Sequence, residues 1–129
     1  MRFYCSDQAH SCHRKAVQAL RLGNASLRRI PTDAEFRIDI IALRNAIRAD
    51  RAAGMAPACV IGTAGTVNTG AIGDLGALAD IAGEEDLWFH VYGCIGALLA
   101  IARSMRIACR ARAGSFGGAR SAQMAACAF

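Results

Sequence analysis

Lysine is almost missing from this sequence: Lys15 is the only one in 129 residues. Any chemistry that needs a primary amine side chain must use that residue, which sits beside Arg14 in a predicted helix. No apolar run reaches the roughly 18 residues of a spanning helix, so no membrane partner is expected. The N-terminus lacks a basic-then-apolar leader, because Asp7 and His10 interrupt it early, and a cytoplasmic location is the expectation. No two of the six cysteines stand in C-x-x-C spacing, which removes the usual zinc and redox signatures. Cys5, Cys59 and Cys94 lie in or beside apolar runs and are expected to be buried thiols, not ligands. There is no G-x-G-x-x-G. The Gly65–Gly70 spacing resembles the opening of a P-loop, but Ala71 and Ile72 stand where Lys and Ser/Thr are required. No internal repeat is present.

Acid is missing from one part only. Residues 1–102 hold ten Lys/Arg and ten Asp/Glu, so the net charge of +5 comes entirely from Arg103, Arg106, Arg110, Arg112 and Arg120. A folded domain normally mixes its surface charges. The stretch 103–129 also holds eight alanines and keeps no helical or strand period. It is expected to be a disordered tail or a segment read out of frame. Without interleaved aromatics its arginines do not amount to a nucleic-acid surface, and no nucleic-acid partner is expected.

What is present before residue 102 alternates strand and helix. Ser11 to Leu22 places Ala16, Val17 and Leu20 on one helical face and stops before Gly23. Leu27 to Ile30 reads as a short strand ended by Pro31. Asp39 is placed to cap a helix carrying Ile40, Leu43, Ala46 and Ile47, closed by Gly54. Ala58 to Ile61 is an apolar strand running into a Gly/Thr loop. Asp74 is placed to cap a helix with Leu75, Leu78, Ile81 and Ala82 inward, and Leu87 to Val91 is the next strand. Continuously apolar strands joined by helices predict a parallel sheet with helices on both faces. Ligands of such sheets bind beyond the carboxyl ends of the strands. His10, the loop from Gly62 to Gly70 and the stretch from Tyr92 to Gly96 all follow strand ends, so one crevice could gather them. His13, beside Arg14 and Lys15, is expected on a solvated face, and His90 as a structural histidine within its strand.

Five stretches then resemble one family. Trp88-Phe89-His90-Val91-Tyr92-Gly93 is similar to the Trp-x-His-Val-Asp strand of the group II pyridoxal-phosphate (PLP) amino acid decarboxylases, which include the aromatic amino acid and glutamate decarboxylases. Ser6-Asp7-Gln8-Ala9-His10-Ser11 resembles that family's SDQAHS stretch. Arg28-Arg29-Ile30-Pro31 and then Asp50 to Pro57 look like its connecting segments in the same order, and Gly62 to Ile72 looks like its Gly-Thr loop. The resemblance implies the central part of the large domain of an aspartate aminotransferase-like (type I) PLP enzyme over residues 1–102, with 103–129 apart from it. It implies PLP as cofactor, an amino acid as substrate and a homodimer in the intact family. Carried over by motif, His10 stacks on the cofactor ring, Thr66 lies beside it and Tyr92 takes the place of the Asp that holds the ring nitrogen. Val67 replaces a second threonine, and Gly73 stands where the family often has another Asp.

The chemistry sharpens what Tyr92 means. The protein must supply a lysine for the covalent link to PLP and an anion that keeps the ring nitrogen protonated. A carboxylate ionises near pH ~3.9 and a phenol near ~10, so Tyr92 is neutral at physiological pH. It is also bulkier than Asp and would crowd the ring. No histidine or lysine follows His90, so no residue here is assigned the catalytic amine. The resemblance therefore implies a PLP-dependent carboxy-lyase by family, and no turnover by this chain alone. The alternative function is a non-catalytic fragment that pairs with a full-length homologue.

Overall fold

Strand alternation decides which side of the sheet each residue serves. The computed structural model describes residues 1–94, and the tail expectation for 103–129 lies outside them. Strand β1 is Arg2–Ser6, followed by helix α1 (Cys12–Ala19), a 3₁₀ turn (Asn24–Ser26) and β2 (Leu27–Ile30). Helix α2 (Ile40–Ala52), β3 (Pro57–Thr63), α3 (Leu75–Glu84) and β4 (Trp88–Tyr92) complete the order. All four strands are parallel, arranged β2-β1-β3-β4. Right-handed crossovers then set the helices on opposite faces. The β1-to-β2 connection runs one way along the sheet and puts α1 on one face; the later connections run the other way and put α2 and α3 on the other.

The two faces are unequal. Tyr4, Val60, Phe89 and Val91 point toward α2 and α3 and join Leu43, Ile47, Leu75, Leu78 and Ile81 in the main core. Their strand neighbours point the other way, as the period of two requires, but there the buried set is only Cys5, Cys59 and Ile61. Burial pushes the Cys5 and Cys59 thiols up, to about 11 and about 12, so both remain protonated and behave as small apolar groups. Helix α1 covers this face thinly. Of its predicted inward residues only Val17 is buried, and Leu20 is 68% exposed. The expected apolar face of α1 is therefore a partial one. It leaves an apolar groove of about 340 Å³ lined by Phe3, Val17, Leu20, Trp88, His13 and His90 among others.

The helix ends follow the expected chemistry. The Asp39 carboxylate accepts hydrogen bonds from the N–H groups of Ile41 (2.8 Å) and Ala42 (2.9 Å), and Asp74 accepts from Ala77 (3.0 Å). Each offsets donors that a helix start leaves unpaired. Gly62 marks a close approach within β3. A Cβ there would sit 2.9 Å from Leu75 Cδ2 and 3.1 Å from the Phe89 ring, so α3 packs against bare backbone just before the loop. Among the described residues no helix is long and apolar enough to cross a membrane.

Candidate functional site

The sheet's order reverses between β1 and β3, and the crevice at such a switch point is where open α/β sheets bind ligands. Three chain segments leave strand ends there. From β1 the backbone turns through Asp7–Ala9 to His10. The His10 Nδ1 accepts a hydrogen bond from the Cys12 N–H (3.3 Å), satisfying one donor at the start of α1. With Nδ1 accepting, the proton of the neutral ring is assigned to Nε2.

From β3 the chain enters the Gly/Thr loop. It is tied back to β4 through Ala64 N–H donating to the Tyr92 carbonyl (2.8 Å), and closed by Gly73 N–H donating to the Thr63 carbonyl (3.1 Å). Thr66 is buried, and its hydroxyl works within the loop. It accepts from the Ala71 N–H (3.1 Å) and shares a proton with the Thr69 hydroxyl at 2.5 Å. Gly70, at φ +70°, permits the turn that brings Ala71 back. Thr66 thus shapes the crevice wall near Ser6 and Thr63.

From β4 comes Tyr92. Its ring lies parallel to His10, with centroids 6.3 Å apart and planes 5° from parallel, an offset stack. It also meets His13 edge-on at 4.7 Å. The thiols of Cys12 and Cys94 beside its hydroxyl, and then burial, hold the phenol above its ordinary range. His10 and Tyr92 are therefore brought together, as the strand-end argument expected. Thr66 stands in the neighbouring loop, engaged with its own segment.

His13 corrects the expectation of a solvated face. Its Nε2 is buried with no hydrogen-bond partner among the described residues, and its ring lies edge-on to His90 at 6.4 Å. Burial, with His90 and then His10 nearby, pushes the His13 imidazole down from 6.5 to about 4; burial lowers His90 as well. Basic neighbours in sequence, Arg14 and Lys15, concealed that His13 lies one turn earlier than Val17 and so on the buried side. Cys12 and Cys94 were equally hard to find, since nothing local links residues 82 positions apart. Among the described residues, no group of three or more His, Cys, Asp and Glu is arranged to hold a metal ion.

A pH dependence follows. An unfolded His13 takes up its proton near 6.5 and the folded one only near 4. The unfolded state therefore binds more protons between those values. Stability is expected to be full above pH 6.5 and to fall as the pH drops toward 4. In urea titrations across that window, His13→Gln should show a clearly shallower fall than the unsubstituted chain. Some slope remains from His90. An unchanged slope would mean that His13 does not titrate as a buried group.

Comparison with known proteins places this geometry. A family model described as the pyridoxal-dependent decarboxylase conserved domain matches residues 1–117. An aromatic-L-amino-acid decarboxylase of Bacillus atrophaeus is 43% identical over 94 residues, covering 73% of this chain and 20% of the relative. A tryptophan decarboxylase of Camptotheca acuminata is 44% identical over 90 residues, covering 68% and 18%. The chain thus spans about a fifth of the length of the curated relatives it matches. Among solved structures, Rhodiola rosea 4-hydroxyphenylacetaldehyde synthase superposes with a TM-score of 0.81 at 33% identity, over 85% of this chain and 24% of that one. The structure of Oryza sativa TDC with PLP gives 0.80 at 32% identity, over 85% and 24%.

PLP is the cofactor that this likeness implies, and the described residues do not fit it. Where a ring nitrogen would need an anion, the end of β4 offers a neutral phenol whose ring is already stacked on His10. Lys15, the only lysine in the sequence, is on the exposed side of α1. Fold and ancestry are nevertheless plain. With the match spanning most of its length, and decarboxylases of 43–44% identity beside it, the chain belongs to the pyridoxal-dependent decarboxylase family.

Proposed function

We propose that this chain carries the central scaffold of a PLP-dependent amino acid carboxy-lyase but does not turn over an amino acid on its own. The observation that carries this is Tyr92: a neutral phenol, beside two thiols and parallel to the His10 ring, at the strand end where the family places a carboxylate. An acid there would stabilise a protonated ring nitrogen by direct charge attraction. A phenol offers one hydrogen bond and no charge. The lone lysine supports the same reading.

In this proposal His10 and Thr66 keep their inherited places and Tyr92 does not. The substrate class is an amino acid, the ancestral state a homodimer and the setting cytoplasmic, as part of amino acid metabolism. Relatives are named both for decarboxylation and for aldehyde synthesis, so the amino acid and the outcome belong to the intact proteins. The test is direct: the purified chain with PLP and an aromatic amino acid should release no carbon dioxide above the rate of PLP alone. Catalytic release that scales with protein concentration would overturn the proposal.

A second reading has its own support. The outer edge of β4 pairs with no other strand among the described residues, and the α1 face leaves an apolar groove beside exposed Leu20. An unpaired edge and an uncovered apolar face both favour association. On this reading the chain acts without catalysis, by pairing with a full-length homologue.

A further inference from the structure

The geometry points to Tyr92 as a built-in plug: its ring lies parallel to His10 with centroids 6.3 Å apart, less than the roughly 7 Å that two successive stacking contacts require, so no planar heteroaromatic ring enters between them until that side chain is removed. This rests on reading the crevice as a ring-binding site and adds a cause that is independent of charge. A phenol that merely lacked charge would leave space beside His10 for a weak ligand. The observed phenol leaves too little room there for a second ring.

Four residues surround it. His10 lies parallel to it at 6.3 Å, His13 meets it edge-on at 4.7 Å, and the Cys12 and Cys94 thiols lie beside its hydroxyl. These partners come from the β1–α1 turn, from α1 and from the segment just after β4, so the ring is gripped from three sides. His10 cannot easily turn to a second partner, because its Nδ1 accepts from the Cys12 N–H. The strand register fixes the other end. Thr63 pairs with Tyr92, and Ala64 N–H bonds the Tyr92 carbonyl, so the backbone from which the ring projects is set by the sheet. Moving the ring out of the crevice would lose both ring contacts together.

The test separates ring size from hydroxyl chemistry. The full chain, labelled at histidine, is titrated by NMR with 3-hydroxypyridine, a ring without phosphate or aldehyde, and separately with pyridoxine 5′-phosphate. In the unsubstituted chain and in Tyr92→Phe, which keeps the ring, the His10 imidazole signals should stay put. In Tyr92→Ala they should shift saturably with 3-hydroxypyridine, and His10→Ala added to that variant should weaken binding at least fivefold. Tyr92→Val, better suited to a strand, serves if the alanine variant loses amide dispersion. Saturable shifts of equal affinity in the unsubstituted chain would overturn the plug, and so would a folded opened variant that shows none. If opened variants take 3-hydroxypyridine but gain nothing from the phosphorylated ring, the plug stands and the cofactor ancestry of the crevice fails.

Discussion

Asp50→Ala is expected to destabilise the fold by about 3–5 kcal/mol, the range for removing one partner of a buried ion pair. Asp50 is 4% exposed on α2. It accepts hydrogen bonds from the Tyr4 hydroxyl (3.0 Å) on β1 and from Arg28 (2.5 Å) on β2, and Arg2 Nε lies 3.7 Å away. One carboxylate thus ties two strands to the helix that covers them. Alanine would leave the Tyr4 hydroxyl without its acceptor and two guanidinium groups without their anion. Arg2 Nε already has no hydrogen bond, so it depends on Asp50 for charge alone. The Arg28 side chain is 37% exposed, and water can recover part of its loss, which argues for the lower end. A domain is stable by only about 5–15 kcal/mol, so the change takes a large share. Urea unfolding followed by far-UV circular dichroism measures it. Asp50→Asn, which keeps an acceptor for Tyr4, should cost less. The pairs Arg37–Asp33 and Arg44–Glu84 are as short but lie in solvent, where salt screening and side-chain entropy leave little net gain; Glu84→Ala should leave the midpoint nearly unchanged.

The second large effect is expected from Leu78→Ala, at about 2–5 kcal/mol. Leu78 is fully buried at the centre of α3. The lost transfer free energy adds to that of a cavity between the helix and the sheet. Its location adds a local consequence. A Cβ at Gly73 would lie 3.8 Å from Leu78 Cδ1, so the side chain supports the return of the Gly/Thr loop. Truncation should therefore speed hydrogen exchange at the Gly73 amide, which donates to Thr63, more than at the α2 amides. Uniform acceleration across the chain would show that the loop gets no special support from Leu78.

These two residues differ in how far the sequence foretold them. Leu78 was legible: with Leu75, Ile81 and Ala82 it follows the helical period behind an Asp cap, and all four are buried. Caps, the alternation of strand and helix, and the parallel sheet were legible for the same reason, since each rests on contacts within a few residues or on a simple period. Asp50 was not. Its partners are 46 and 22 positions away, and an acid on a helix reads as solvated unless the strands opposite are known. Leu20 shows the converse error. Periodicity put it on the inner face of α1, but the helix ends at Ala19 and Leu20, the residue that closes it, is exposed. At the candidate site, the convergence of His10 and Tyr92 followed from strand ends. The stack between them, the burial of His13 and the two thiols on the Tyr92 hydroxyl depend on side-chain packing across elements, which no local pattern encodes.

What unites these points is a family scaffold whose crevice is occupied by its own tyrosine and whose single lysine faces solvent. The most direct measurement is borohydride reduction of the chain after incubation with stoichiometric PLP, followed by peptide mass analysis. No specific pyridoxyl modification is expected, with Lys15 labelled no more than an exposed lysine in an unrelated protein. One equivalent fixed on Lys15, and prevented when excess pyridoxine 5′-phosphate is present before reduction, would contradict it.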